Sequence, residues 1–146
     1  MKKMIALLLA AVCMCLSAGC GIKTAPEVKI DYGESMIYSR EDIDAAIRLI
    51  EKEFRTGVWK NCELHSLTYG GNKECNEKNL KWMNDLEAAN DAKERFTQCI
   101  TFTGSFHSPR QYDGGGLTED EEYAGWSWWL ARSDGGKWKL MTWGYA

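Results

Sequence analysis

Five of the seven tryptophans fall between positions 126 and 143, in two apolar runs separated by Ser133-Asp134-Gly135-Gly136. Asp-Gly between two such runs is a strong hairpin signal, because glycine supplies the positive φ that tight hairpin turns require. Strands are therefore expected over residues 123–132 and 137–143. Tryptophan and tyrosine rings bury roughly 150–250 Å² each, so these rings are expected to pack against the first helix as core, the alternative being a partly open aromatic cleft. Rings occupy both odd and even positions, so both faces of the hairpin receive them. Trp128 and Trp129 must then point in opposite directions. A two-residue turn would group Trp126, Trp128, Met141 and Trp143 on one face. A three-residue loop would group Trp128, Leu130, Trp138 and Leu140 instead. The sequence leaves the two registers open.

A helix is available to cover those rings. Ile43, Ala46, Ile47, Ile50 and Phe54 recur at helical spacing and make one apolar stripe. Ser39 precedes the stripe as an N-cap, and Glu41 and Asp42 put negative charge where the helix dipole favours it. Gly57 supplies the stop. Residues 62–69 read as a strand, after which Gly70-Gly71-Asn72 turns the chain. A second, thinner apolar stripe of Leu80, Met83 and Leu86 predicts a helix over residues 77–89. Residues 96–106 form a strong strand, with Phe96, Ile100 and Phe102 on one face and Thr97, Cys99, Thr101 and Thr103 on the other. The predicted fold class is α+β. Both helices lie on one face of a curved, largely antiparallel four-stranded sheet that ends in the aromatic hairpin.

The N-terminus predicts export. Lys2 and Lys3 precede an uncharged apolar run over residues 4–16, shorter than the roughly 20 residues a membrane-spanning helix needs. Ser17-Ala18-Gly19-Cys20 follows and looks like a bacterial lipobox, in which the cysteine receives a diacylglyceryl thioether. Ser17 stands where the usual lipobox has leucine, and Leu16 is one step further back. Residues 1–19 are read as the signal peptide, with Cys20 as the lipidated first residue of the mature chain. The alternative is ordinary signal cleavage that leaves Cys20 a plain thiol. Residues 20–37 contain Pro26 and Gly33, lack an apolar period and are read as a lipidated tether, a short strand near 28–32 being the lesser alternative. Residues 38–146 form a single domain. The expected location is the cell envelope, anchored to the outer face of the cytoplasmic membrane through the lipid on Cys20.

Charge narrows the partners. Loss of Lys2 and Lys3 takes the formal charge from −3 to −5. An acidic domain lacks the basic footprint that nucleic acid requires, and it lacks a polybasic grip on anionic lipid. No metal or cofactor is expected. The two histidines, His65 and His107, have no companion ligands at coherent spacing. The acidic group of Asp113 with residues 119–122 lacks the alternating oxygen ligands of a calcium loop. No Gly-x-Ser-x-Gly occurs, and residues 114–116 are not followed by the Lys-Ser/Thr of a phosphate loop. Cys62 or Cys99 beside His107 carries no catalytic signature. Cys62 and Cys75 are held apart by a strand about 23 Å long, whereas bridged Cα atoms lie within about 7 Å. Cys62 and Cys99 can meet only if their strands are neighbours. All three are expected to be reduced.

The segments Tyr38-Ser39-Arg40-Glu41-Asp42-Ile43, Cys62-Glu63-Leu64, Trp126-Ser127-Trp128-Trp129-Leu130, Gly135-Gly136-Lys137-Trp138 and Thr142-Trp143-Gly144-Tyr145 carry a family resemblance. Over residues 38–146 the chain resembles a family of small uncharacterised lipoproteins of Gram-positive bacteria. The resemblance implies an anchored envelope protein and brings no activity with it. The element order is also similar to cystatin-like and NTF2-like domains, scaffolds that host binders and enzymes alike. The function expected is a binding module for a small ligand or an envelope protein, and no enzyme. Its candidate surface is Trp126, Trp128, Trp129, Trp143, Tyr145, His107 and Tyr112. The alternative is an NTF2-like enzyme working from polar groups in the concave cavity of the sheet.

Overall fold

Ser39 opens the first helix, α1 (Arg40–Thr56), through a capping box. Its Oγ accepts from the Asp42 N–H at 3.1 Å, and the Asp42 carboxylate accepts from the Ser39 N–H at 3.2 Å. Gly57 ends the helix. The buried residues of α1 are Ile43, Ala46, Ile47, Ile50 and Phe54, the stripe expected from the spacing. The structure, a computed structural model, describes residues 27–113 and 116–145. The signal segment, Cys20 and the start of the tether lie outside the described residues.

Among the described residues five strands accompany two helices. In chain order they are β1 (Lys29–Asp31), α1, β2 (Glu63–Tyr69), a 3-10 turn (Asn72–Glu74), α2 (Glu77–Ala89), β3 (Gln98–His107), β4 (Glu122–Arg132) and β5 (Lys139–Tyr145). They form one open mixed sheet in the order β1-β2-β3-β4-β5. β1 runs parallel to β2, and every other neighbour is antiparallel.

The α+β class is as expected, and three details of it are corrected. The sheet has five strands and not four, because Lys29–Asp31, assigned to the tether, pairs with Ser66, Leu67 and Thr68. A parallel pair needs a long crossover, and α1 is that crossover. Val28, Ile30 and Tyr32 pack against the main core, which holds this short edge strand in place. Second, the helices do not share a face. The α1 stripe meets Leu64, Leu67, Ile100, Phe102, Phe106, Trp128 and Leu130. Met83 of α2 meets Phe96, Cys99 and Ala131, with Trp129 and Met141 alongside. Side chains alternate along a strand, so Cys99 and Ala131 point away from Ile100 and Leu130, and α2 therefore covers the opposite face. Third, Phe96 does not join Ile100 and Phe102. It precedes β3, where Asn84 of α2 grips its backbone at 2.8 and 3.1 Å, and its ring packs under α2.

Two contacts set how the layers seat. At Gly104 a Cβ would stand 1.9 Å from the Ser66 carbonyl oxygen, so only glycine lets β2 and β3 approach here. Arg132 of β4 donates to Asp42 at 2.6 Å, and Trp138 donates to the Asp42 carbonyl at 2.9 Å. The Arg132 guanidinium, with help from Ser39, holds the Asp42 carboxyl below the usual carboxylate range. A depressed folded-state pKa contributes stability above the unfolded value of roughly 3.9 and loses it as pH falls through the folded value. Asp42→Asn is expected to cost about 1–2 kcal/mol near pH 7, since a charge-assisted bond becomes a neutral one. The difference from the parent should shrink as pH falls below about 4, where the parent loses the same charge. Urea melts of both proteins at neutral and acid pH would measure this, and a gap independent of pH would rule it out.

Candidate functional site

Chain direction after α1 decides where the aromatic residues gather. The Gly57 and Trp59 N–H groups both donate to the Glu53 carbonyl, and Trp59 stacks on Phe54 with centroids 5.3 Å apart. Trp59 is 1% exposed and meets Phe106, Trp128 and Trp143. This ring was missed in the sequence, although a large apolar residue two places after a helix-stop glycine often packs back on the last turn.

Beyond this buried group the rings continue outward along β4 and β5. Tyr123 stacks on Phe106 at 4.9 Å, Trp126 meets Tyr123 at 5.6 Å, and Tyr145 meets Trp126 at 5.0 Å. Trp143 closes on Trp59 at 4.8 Å. Pairing explains the grouping. Trp126 faces Tyr145, Trp128 faces Trp143 and Leu130 faces Leu140, with a bulge between the last two pairs. That extra residue lets Met141 join the α2 side. Trp126, Trp128 and Trp143 therefore share a face with Leu130 and Leu140. Next to the turn the pairing is that of the three-residue loop. Beyond the bulge Trp126, Trp128 and Trp143 share a face as the two-residue turn would group them, but without Met141 and with partners shifted two residues along. The turn itself forms as expected, with Gly136 N–H donating to the Ser133 carbonyl at 2.9 Å and Gly135 at positive φ.

The candidate residues fall into distinct environments. Trp128 is fully buried among Phe54, Trp59 and Phe106, so it is withdrawn from the surface and belongs to the core. Trp143 and Tyr145 are 40% and 62% exposed, and Trp126 is half-buried between them and the core. The indole N–H groups of Trp126 and Trp128 find no hydrogen-bond partner among the described residues. Trp129 is half-buried on the α2 side, where exposed Trp82 meets it edge-on at 5.4 Å. Trp82, Trp129, Thr142 and Gly144 line an open cleft of about 260 Å³ that reaches Trp143 and Tyr145 around the edge strand. Trp82 was the second ring missed, because the α2 stripe was read from its aliphatic residues alone.

Tyr112 borders the same end of the molecule. Its hydroxyl donates to the Val58 carbonyl at 2.7 Å, and burial pushes its pKa up. His107 is not brought together with these rings. It follows Phe106 on β3 and points to the other face, where it meets Asp120 at 3.1 Å and Glu122 at 3.4 Å. His65 shares the Glu122 carboxylate at 3.0 Å and contacts Glu63. Among the described residues, no group of three or more such side chains is placed to hold a metal ion. A cavity of about 610 Å³ is an open groove along α2 lined by Leu80, Asn84 and Phe96, apart from the exposed aromatic rings.

No known family, curated protein or solved structure matches this chain.

The arrangement supports contact chemistry. Exposed rings and a neighbouring cleft offer apolar contact area. No helix among the described residues is long and apolar enough to cross a membrane.

Proposed function

We propose that the protein is an exported, lipid-anchored binding module that takes its ligand or envelope partner on the aromatic edge formed by Trp126, Trp143 and Tyr145. The observation that carries this reading is the exposure of Trp143 and Tyr145, 40% and 62%, at the outer end of an otherwise buried ring stack. The partner offers an apolar face to the exposed Trp143 and Tyr145 rings. An NTF2-like enzyme would instead need ionisable groups converging under α1, and the buried side chains there are overwhelmingly apolar. The anchor rests on Cys20 and on the resemblance to small envelope lipoproteins.

Alanine substitutions at Trp143, Tyr145 and Cys20 test the reading. Tyr145→Ala is expected to leave thermal stability within about 0.5 kcal/mol, as surface changes do, while abolishing capture of a bound component from envelope extracts by the full-length protein. Undiminished capture by a double Trp143→Ala, Tyr145→Ala protein would refute the surface. Cys20→Ala is expected to abolish fatty-acid labelling and release the protein to the medium, and a membrane-bound, unlabelled parent would refute the anchor.

A further inference from the structure

Cys62, Cys75 and Cys99 are all free thiols among the described residues. They are not equivalent. Cys75 follows the 3-10 turn ahead of α2, and Cys99 is the second residue of β3. The chain between them is the whole of α2 and its return loop. Cys75 and Cys99 both pack into the cluster beneath α2. Tyr38 lies beside the pair: its hydroxyl donates to the Cys99 carbonyl at 2.7 Å, and burial, with the Cys75 thiol nearby, pushes its pKa up. The Cys99 thiol in turn donates to the Glu74 carbonyl at 3.4 Å, next to Cys75 in the chain.

Cys62 has no share in this. It precedes Glu63, which pairs with His107, eight residues beyond Cys99 on the same strand. At roughly 3.3 Å per residue the separation is about 26 Å, far beyond a bridge. The neighbourhood of β2 and β3, the condition for a Cys62–Cys99 pair, is met, and their register forbids the pair all the same.

We propose that Cys75 and Cys99 are a disulfide-forming pair, oxidised once the protein is outside the cytoplasm, that ties the start of α2 to β3; the oxidation rests on the export reading, and the pairing does not. The pair is suited to structure and not to catalysis. Catalytic dithiols expose a thiol of lowered pKa beside a cation or a helix N-terminus. Here burial and the second thiol push Cys99 up to about 12, and Cys99 is fully shielded from solvent. The tie has something to hold: α2 buries only Met83 and Glu87, and Glu87 is kept by Lys139 at 2.6 and 2.8 Å.

Oxidation proceeds by exchange with an external disulfide, whether protein-borne or of low molecular weight. Half-buried Cys75 gives up its proton and attacks one sulfur of that disulfide, forming a mixed disulfide and expelling a first thiolate. Cys99 then loses its proton, attacks the Cys75 sulfur and expels the second. The protein loses two electrons and two protons, and the incoming disulfide gains both as two thiols.

The test is peptide mapping of the full-length protein from membrane fractions, with thiols blocked by N-ethylmaleimide in acid before unreduced trypsin digestion. Peptides 74–78 and 96–110 are expected to be joined, two hydrogen masses below their sum, with the peptide containing Cys62 blocked and alone. The purified full-length chain incubated with oxidised glutathione should yield the same joined pair. Reductant should lower the melting temperature of the oxidised parent by several degrees and leave Cys75→Ser unchanged. Cys75 and Cys99 both blocked after oxidised glutathione, or either of them joined to Cys62, would overturn the pair. Joining by oxidised glutathione with free thiols in the membrane fraction would uphold the pair and overturn the export reading.

Discussion

Trp128→Ala is expected to lower stability by about 3–5 kcal/mol, the usual cost of emptying a buried aromatic site. The ring is fully buried and meets Phe54 at 6.0 Å, Trp59 at 5.9 Å and Phe106 at 6.1 Å. Those neighbours come from α1, the segment after it and β3, so the ring joins three parts of the chain and none can collapse alone into the space. Trp129→Ala, one residue on, should cost about 1–2 kcal/mol, a more ordinary substitution effect. Its ring is half-buried and leans on Trp82 alone among the aromatic residues. Its loss should instead widen the cleft beside Trp143 and Tyr145. Denaturant melts of the two variants, with quenching of the remaining tryptophan fluorescence by a small solute, would measure the contrast. Equal losses would mean that α2 seals its face of the sheet as tightly as α1 seals the other.

Ile47→Asp should prevent stable folding of the domain. Ile47 lies in the middle of the α1 stripe, 5% exposed, between Ala46 and Ile50, which are wholly buried. An aspartate there must either ionise in an apolar layer or take up a proton, and both cost several kcal/mol. A domain of this size has roughly 5–15 kcal/mol to lose. Arg48 is exposed, and Arg48→Asp should stay within about 1 kcal/mol, the range of surface substitutions with a small helix-charge effect. Circular dichroism melts would show a missing transition for the first variant and a nearly unchanged one for the second. Equal melting temperatures would mean that the helix buries a different face.

The reverse comparison, from structure back to sequence, is most favourable at α1. Its cap, stop and five buried residues were all legible, because each depends on neighbours within one or two turns. The Asp134-Gly135 turn was legible for the same reason. The second helix was placed at its observed bounds, Glu77–Ala89, yet on the wrong side of the sheet. An apolar stripe states that a helix buries a face and is silent about which layer receives it. The strand β1 was hidden in the tether because three residues carry almost no periodic signal, and its partner lies across α1.

For the candidate surface, composition alone pointed to the hairpin, and Trp126, Trp143 and Tyr145 do line its edge. Trp128 could not be told from Trp129 without the pairing to β3, which sets Trp128 opposite Phe102 on the α1 side and Trp129 opposite Thr101 on the other. His107 looked close to the hairpin in the chain and sits on the opposite face, held by Asp120 and Glu122.

Local chemistry was therefore determined by the sequence alone: where helices begin and stop, where the hairpin turns, which residues are too apolar to remain in water. Those choices are made within a few residues, by backbone hydrogen bonds and by side-chain spacing along the chain. Only the tertiary structure decided which face each element covers, which of two adjacent tryptophans is buried, and which cysteines meet. These are choices between distant segments. In a sheet a slip of one residue turns every side chain over, so a single bulge puts Met141 on the α2 side while Leu140 and Trp143 share the other.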